Sequence, residues 1–169
     1  MLALKVSADV FVAVAMALAL AHALEYPGKM RLDRSTYVAV QPMYYPAYAI
    51  GGGIGEGLGV ILTFMLLLTT PAGTEKFNWI AAAFASLLTM QFIYWTIAWP
   101  VRGFWSQQRR KLVPAATRFF GLSSAAEVTA EKERDSRWPE LKMQWEIAHI
   151  ARAFFGFVSV VTLGVGVSM

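Results

Sequence analysis

The chain has 169 residues, 57% hydrophobic and 15% charged, with a mean hydropathy of +0.48 and a formal net charge of +4. Soluble domains carry about 25% charged residues, so this composition excludes an ordinary soluble enzyme. The basic residues lie between apolar stretches, which excludes a nucleic-acid-binding protein, and the lack of cysteine excludes disulfides, iron–sulfur clusters and zinc–thiolate sites.

Four stretches are long and apolar enough to cross a hydrocarbon layer of about 30 Å. They predict an all-α fold, a four-transmembrane-helix antiparallel bundle forming one integral membrane domain over residues 1–169. The spans fall at about 2–24, 47–68, 77–99 and 141–167, with a short cytoplasmic helical loop between the third and fourth.

The first span carries Lys5, Ser7 and Asp9 near its start and ends at Glu25-Tyr26-Pro27-Gly28. Lys5 and Ala21-His22-Ala23 imitate a signal peptide, but the segment is read as a retained membrane helix. Residues 28–45 read as a polar connection closed by Tyr44 and Tyr45, which suit an interfacial aromatic belt. The first half of the second span holds Gly51, Gly52, Gly53, Gly55, Gly57 and Gly59 around Glu56. Small residues four apart let helices approach closely, and they leave room beside Glu56 for a ligand. The third span carries Gln91, Tyr94 and Trp95 and exits at Pro100, Arg102 and Trp105. In the loop that follows, Gln107 to Lys111 is a basic surface run, Ser124 and Glu127 have capping-box spacing, and Glu131 to Asp135 reads as a solvated helical face. The fourth span opens at Trp138-Pro139 and contains Glu146, His149 and Arg152, each three residues apart and therefore along one side of a helix.

Twelve basic residues lie in the first and third loops, against Lys5 and Lys76 on the other side. The positive-inside rule then places both loops in the cytoplasm and both termini on the non-cytoplasmic side, in a bacterial inner membrane by this reading. At a rise of about 1.5 Å per residue, His22, Glu56, Gln91, Tyr94, Glu146 and His149 all lie roughly 8–14 Å below the cytoplasmic boundary. Span one reads His22-x-x-Glu25 and span four, running the other way, reads Glu146-x-x-His149. Antiparallel neighbours with those orders bring His22 beside His149 and Glu25 beside Glu146.

Ionisable groups in a membrane are costly and usually serve an ion, a proton, a cofactor or one another. Paired Glu/His triplets with added glutamates are the ligand set of di-iron and di-manganese bundles. His22, Glu25, Glu56, Glu146 and His149 therefore form a candidate metal site for one or two iron or manganese ions. Span three offers no sixth carboxylate, only Gln91 or Tyr94. Three carboxylates against Arg152 alone leave negative charge that a bound cation would neutralise. Two other readings stay open. One is a metal-free polar or proton-relay network. The other is haem b ligated by the two histidines, which sets three glutamates around a hydrophobic macrocycle.

The order His22-Ala-Leu-Glu25-Tyr-Pro27-Gly28-Lys29, Gln41-Pro-Met-Tyr44-Tyr45-Pro46, Glu56, Trp99-Pro100-Val101-Arg102-Gly-Phe104-Trp105 and Trp145-Glu146-x-x-His149-x-x-Arg152 resembles the DUF1772, anthrone oxygenase-like, membrane family. The likeness touches all four spans, although the family's third span often ends His-Pro-Val-Asn where this chain has Trp99-Pro100-Val101-Arg102. It implies a four-helix membrane bundle and, for some members, oxygenation of polycyclic phenolic anthrones to quinones without an obvious organic cofactor. The function expected is a membrane-embedded, metal-dependent oxidoreductase. It would be an oxygenase acting on a hydrophobic aromatic or quinone-like substrate, with Tyr94 and Arg152 as hydrogen-bonding or charge-balancing groups at the reaction. The alternative is a non-catalytic small subunit of a larger membrane complex, with the cluster structural or binding haem or quinone. Expected partners are the bilayer, a hydrophobic small molecule, and either further copies of this chain or a larger complex.

Overall fold

A computed structural model describes residues 1–102 and 136–169, with backbone alone at residue 42 and residues 44–47. The basic run, the capping-box pair, the charged stretch at 131–135, Trp105 and the expected loop helix lie outside the described residues, as do the side chains of Tyr44 and Tyr45. The described chain is all-helical: α1 (Leu2–Leu24), α2 (Tyr26–Met30), α3 (Arg34–Thr69), α4 (Glu75–Ile93) running on through a π-helical turn (Tyr94–Ala98), and α5 (Trp138–Ser168). Four segments are long and apolar enough to span a bilayer, Leu2–Met30, Tyr48–Thr69, Glu75–Arg102 and Trp138–Ser168. The protein is an integral membrane protein.

Helix α1 packs between α3 and α5, and α4 closes the ring between the same two. Every neighbouring pair is antiparallel. On α3 the glycines Gly51, Gly55 and Gly59 meet Leu18, Ala15 and Val12 of α1, in reverse order along the chain. A Cβ on Gly55 would lie 3.0 Å from the backbone nitrogen of Ala15, so this spacing of four sets how closely α1 and α3 approach. Helices α4 and α5 meet where Gly166 abuts Ile80 and the Ser159 hydroxyl donates to the Ala83 carbonyl at 3.1 Å. Ala8, Val12, Leu66, Ile80, Ala83, Leu87 and Leu163 form an apolar core in this half of the bundle, with the hydroxyls of Thr63 and Ser159 as buried polar groups.

The other half differs from the sequence expectation. Residues 28–45 were expected to form a polar connection, yet most are helical. Pro27 sits in the first turn of α2, where its missing N–H is no loss, so the helical path of α1 continues with little interruption to Met30. Asp33 then caps α3: its Oδ1 accepts from the Thr36 amide at 2.9 Å and from the Ser35 hydroxyl at 2.6 Å. The Ser35 and Thr36 donors hold this carboxyl down at about 2. Helix α3 thus begins well before the membrane-spanning stretch and carries Tyr37 over the end of the bundle. Between α3 and α4 the turn needs Gly73 at φ 81°, and the Thr74 hydroxyl caps α4 by accepting from the Phe77 amide at 3.1 Å.

The π turn has a local cause. A proline ring crowds the carbonyl four residues before it, here Thr96, and Pro100 cannot donate to that carbonyl. One extra residue in the turn relieves the crowding, and Trp99 donates to the Tyr94 carbonyl instead. Turns of this kind recur at functional sites.

Candidate functional site

His22, Glu56, Gln91, Tyr94, Glu146, His149 and Arg152, drawn from all four spans, gather at the other end of the bundle. They form two linked groups. In the first, Glu56 of α3 is paired with Arg152 of α5 and accepts from the Gln91 amide of α4 at 2.6 Å. The Arg152 guanidinium lies 5.0 Å over the Tyr94 ring. Glu56 is 5% and Arg152 8% exposed, so the pair is withdrawn from both water and lipid.

In the second group the His22 and His149 rings stack, with centroids 3.9 Å apart and planes 20° from parallel. Opposite helix directions and reversed sequence orders produce this meeting, as the spacing implied. His149 Nδ1 lies 2.8 Å from the Trp145 carbonyl. A carbonyl only accepts, so the proton is on Nδ1 and Nε2 is left as an acceptor. His22 Nε2 lies 3.3 Å from the Lys29 ammonium, which can only donate, and 3.9 Å from Glu146 Oε2. Glu146 is fully buried, and its Oε1 accepts from the Tyr37 hydroxyl at 2.5 Å. Burial, then the adjacent Glu146 carboxylate, push the Tyr37 phenol far above its usual range, so it stays protonated and donates. Glu25 is held by Lys29 at 2.6 Å and by the Tyr48 hydroxyl at 3.0 Å, rather than facing Glu146 through a shared ligand. Lys142 donates to the carbonyls of Met30 and Leu32 at 3.3 and 2.9 Å, tying α5 to the α2 end.

Lys29, Tyr37, Tyr48 and Lys142 were not among the residues singled out from sequence. Lys29 carried a signal nonetheless. It lies seven residues after His22 and four after Glu25, which places all three on one face if the helix continues past Pro27. Tyr37 was hidden by reading residues 28–45 as a loop.

These additions change the charge balance. Glu25, Glu56 and Glu146 are matched by Lys29, Lys142 and Arg152, so the cluster needs no further cation for neutrality. Nor do the candidate ligands converge. A metal lies in the plane of each imidazole that binds it, and with the two rings stacked, an ion in the plane of one is far out of the plane of the other. Glu56 is committed to Arg152 and Gln91. Among the described residues no three His, Asp or Glu side chains are grouped to hold a metal ion.

Between the two groups lies a cavity of about 420 Å³, large enough for a ligand of two or three fused rings. Tyr94, Trp95, Trp145 and Tyr48 give it aromatic walls, and Arg152, Glu56, Gln91, His149 and His22 supply polar groups. Gly52, Gly53 and Gly57 also face it, and a Cβ at any of them would meet nothing within 4 Å. The glycines of α3 thus divide by face: one row packs on α1, the other leaves space. Arg152 lines the cavity, and its Nε is buried with no hydrogen-bond partner.

Comparison with family models, with characterised proteins and with solved structures finds no match. What fold and site define together is an integral membrane protein whose described residues include four membrane-long helices around an aromatic-walled cavity with a few polar groups.

Proposed function

We propose that this protein is a membrane-embedded oxidoreductase that binds a planar phenolic or quinone-like aromatic in the cavity and promotes its oxygenation. The observation that carries the reading is the pairing of opposite capacities on one cavity wall. His149 Nε2 accepts, because Trp145 fixes its tautomer, and the Arg152 guanidinium, a donor, lines the same cavity. A phenolic hydroxyl would donate a hydrogen bond to His149 Nε2 beside the Arg152 guanidinium, which orients the ring and makes it more electron-rich. Dioxygen is the oxidant. For a ring methylene, one oxygen atom becomes the ketone and the other leaves as water with the two hydrogens. Tyr94, beneath Arg152, keeps the guanidinium in place. The resemblance to anthrone oxygenase-like proteins implies the same substrate class.

The test is conversion of a hydroxyanthrone to its anthraquinone by protein in nanodiscs, followed by absorbance and oxygen uptake against protein-free nanodiscs. Turnover above the spontaneous rate, lost in His149→Gln and Arg152→Gln, supports the reading. Wild-type protein that adds nothing to the spontaneous rate sinks it.

A second reading is the metal-dependent oxygenase at His22, Glu25, Glu56, Glu146 and His149. One observation favours it: Glu146 Oε2 is buried without a hydrogen-bond partner, 3.9 Å from His22 Nε2. Such an ion would polarise a bound oxygen, and Lys29 would have to leave His22. Iron or manganese at about one ion per chain, lost in Glu146→Ala, decides for this reading.

A further inference from the structure

The cavity does not end inside the bundle. Three of the α3 residues that line it, Ala49, Gly53 and Gly57, are exposed, each one turn from the next. Across from them Trp95 lines the cavity and is 57% exposed. The surface beside this opening is apolar: Ile50 and Ile54 on α3 and Phe92 on α4 are each more than half exposed. Gly53, Ile54, Gly57, Phe92 and Trp95 lie several residues inside the spans Tyr48–Thr69 and Glu75–Arg102, while Ala49 and Ile50 sit at the start of the first of these. Further along the same helix pair, Phe64 stacks on Phe84 at 5.4 Å, so the gap between α3 and α4 is closed there. Inside, the cavity is lined by buried Gly52 and by Arg152, which is 8% exposed.

We infer that the gap between α3 and α4, floored by Ala49, Gly53 and Gly57 and flanked by Trp95, is a lateral portal through which a membrane-dissolved planar aromatic reaches Arg152 directly from the bilayer. Glycine at 53 and 57 keeps the passage as wide as a flat ring requires. Any side chain there would project into it. Trp95 offers a stacking face at the mouth, set just at the start of the π turn. A charged or strongly hydrated compound is kept out by the cost of entering hydrocarbon. The inference deepens the proposed function, since it restricts the substrate to lipid-soluble molecules, and it rests on that reading only for the identity of the ligand.

The test needs no ligand. The chain has no cysteine, so Gly52→Cys introduces a single thiol on the cavity wall, at a position where a Cβ meets nothing within 4 Å. In nanodiscs the expected result is rapid alkylation by a lipid-partitioning aryl maleimide. Alkylation by a charged, membrane-impermeant thiol reagent should be slower by at least about tenfold, beyond the difference measured on a free thiol. Adding Gly57→Phe should slow the aryl maleimide by about tenfold, and adding Trp95→Ala should speed it. Gly57→Leu gives a milder block should the phenylalanine variant fail to fold. Faster modification by the charged reagent overturns the portal in favour of an aqueous entrance. A thiol inert to both reagents, or a maleimide rate unchanged by either residue-57 variant, overturns it as well. Protection of the thiol by a hydroxyanthrone is read separately: its absence counts against the proposed substrate and leaves the portal result standing.

Discussion

Arg152→Ala removes one half of an ion pair whose other half, Glu56, is 5% exposed. The remaining carboxylate would keep one hydrogen bond, from Gln91 at 2.6 Å, and no cation. Uncompensated charges of this kind cost about 3–5 kcal/mol when a partner is deleted. Most of that cost is the stranded charge rather than the lost attraction, so it should vanish when the charge is removed too. Glu56→Gln combined with Arg152→Met keeps the Gln91 contact and replaces the pair by neutral groups of similar length. That double variant should lie within about 1 kcal/mol of wild type. Unfolding by SDS in mixed micelles, followed by far-ultraviolet circular dichroism, measures both. An Arg152→Ala variant within about 0.5 kcal/mol of wild type would refute the buried pair, as would a double variant no more stable than the single one.

Other outcomes follow from the same packing and polar contacts. Gly55→Leu forces α3 away from Ala15 and should cost about 1–3 kcal/mol or more, whereas Gly52→Ala points into open space and should be neutral or stabilising by about 0.5–1 kcal/mol in the same assay. Tyr37→Phe removes the hydroxyl that donates to Glu146 Oε1 and should destabilise by about 1–3 kcal/mol. Asp33→Ala should raise the hydrogen-exchange rate of the first-turn amides of α3, and Asp33→Asn should largely preserve their protection. Because folding lowers the Asp33 carboxyl from 3.8 to about 2, its capping contribution is complete above pH 4 and is lost as the pH falls through about 2. Exhaustive treatment with EDTA should leave the unfolding midpoint unchanged; a clear drop would favour the metal-dependent reading.

Much of this arrangement was legible in the sequence. Hydropathy located the spans, and the reversed order of His22-x-x-Glu25 and Glu146-x-x-His149 foretold the meeting of the two imidazoles. The six glycines around Glu56 were legible as packing or as room. They serve both purposes, since residues 51, 55 and 59 share one face and 53 and 57 another. What the sequence hid was the continuation of helix through apparent punctuation. Pro27 read as an exit and residues 28–45 as a connection, yet Pro27 sits where an N–H is not needed and α3 runs from Arg34 through Pro42 and Pro46. That misreading put Lys29 and Tyr37 in a solvated loop, when they complete the buried cluster. The charge argument for a cation depended on leaving out Lys29 and Lys142. The π turn was equally hidden, because its cause is a clash between Pro100 and a carbonyl rather than a composition signal.

The central claim is that the cavity between α3, α4 and α5 holds a planar aromatic taken from the membrane. A diazirine-bearing hydroxyanthraquinone, photolysed with the protein in nanodiscs and mapped by mass spectrometry, tests it most directly. Adducts on residues 49–57 and 145–152, suppressed by unlabelled hydroxyanthrone, are the expected result. Labelling confined to outward-facing residues such as Phe154 and Phe157, unchanged by the competitor, would contradict it.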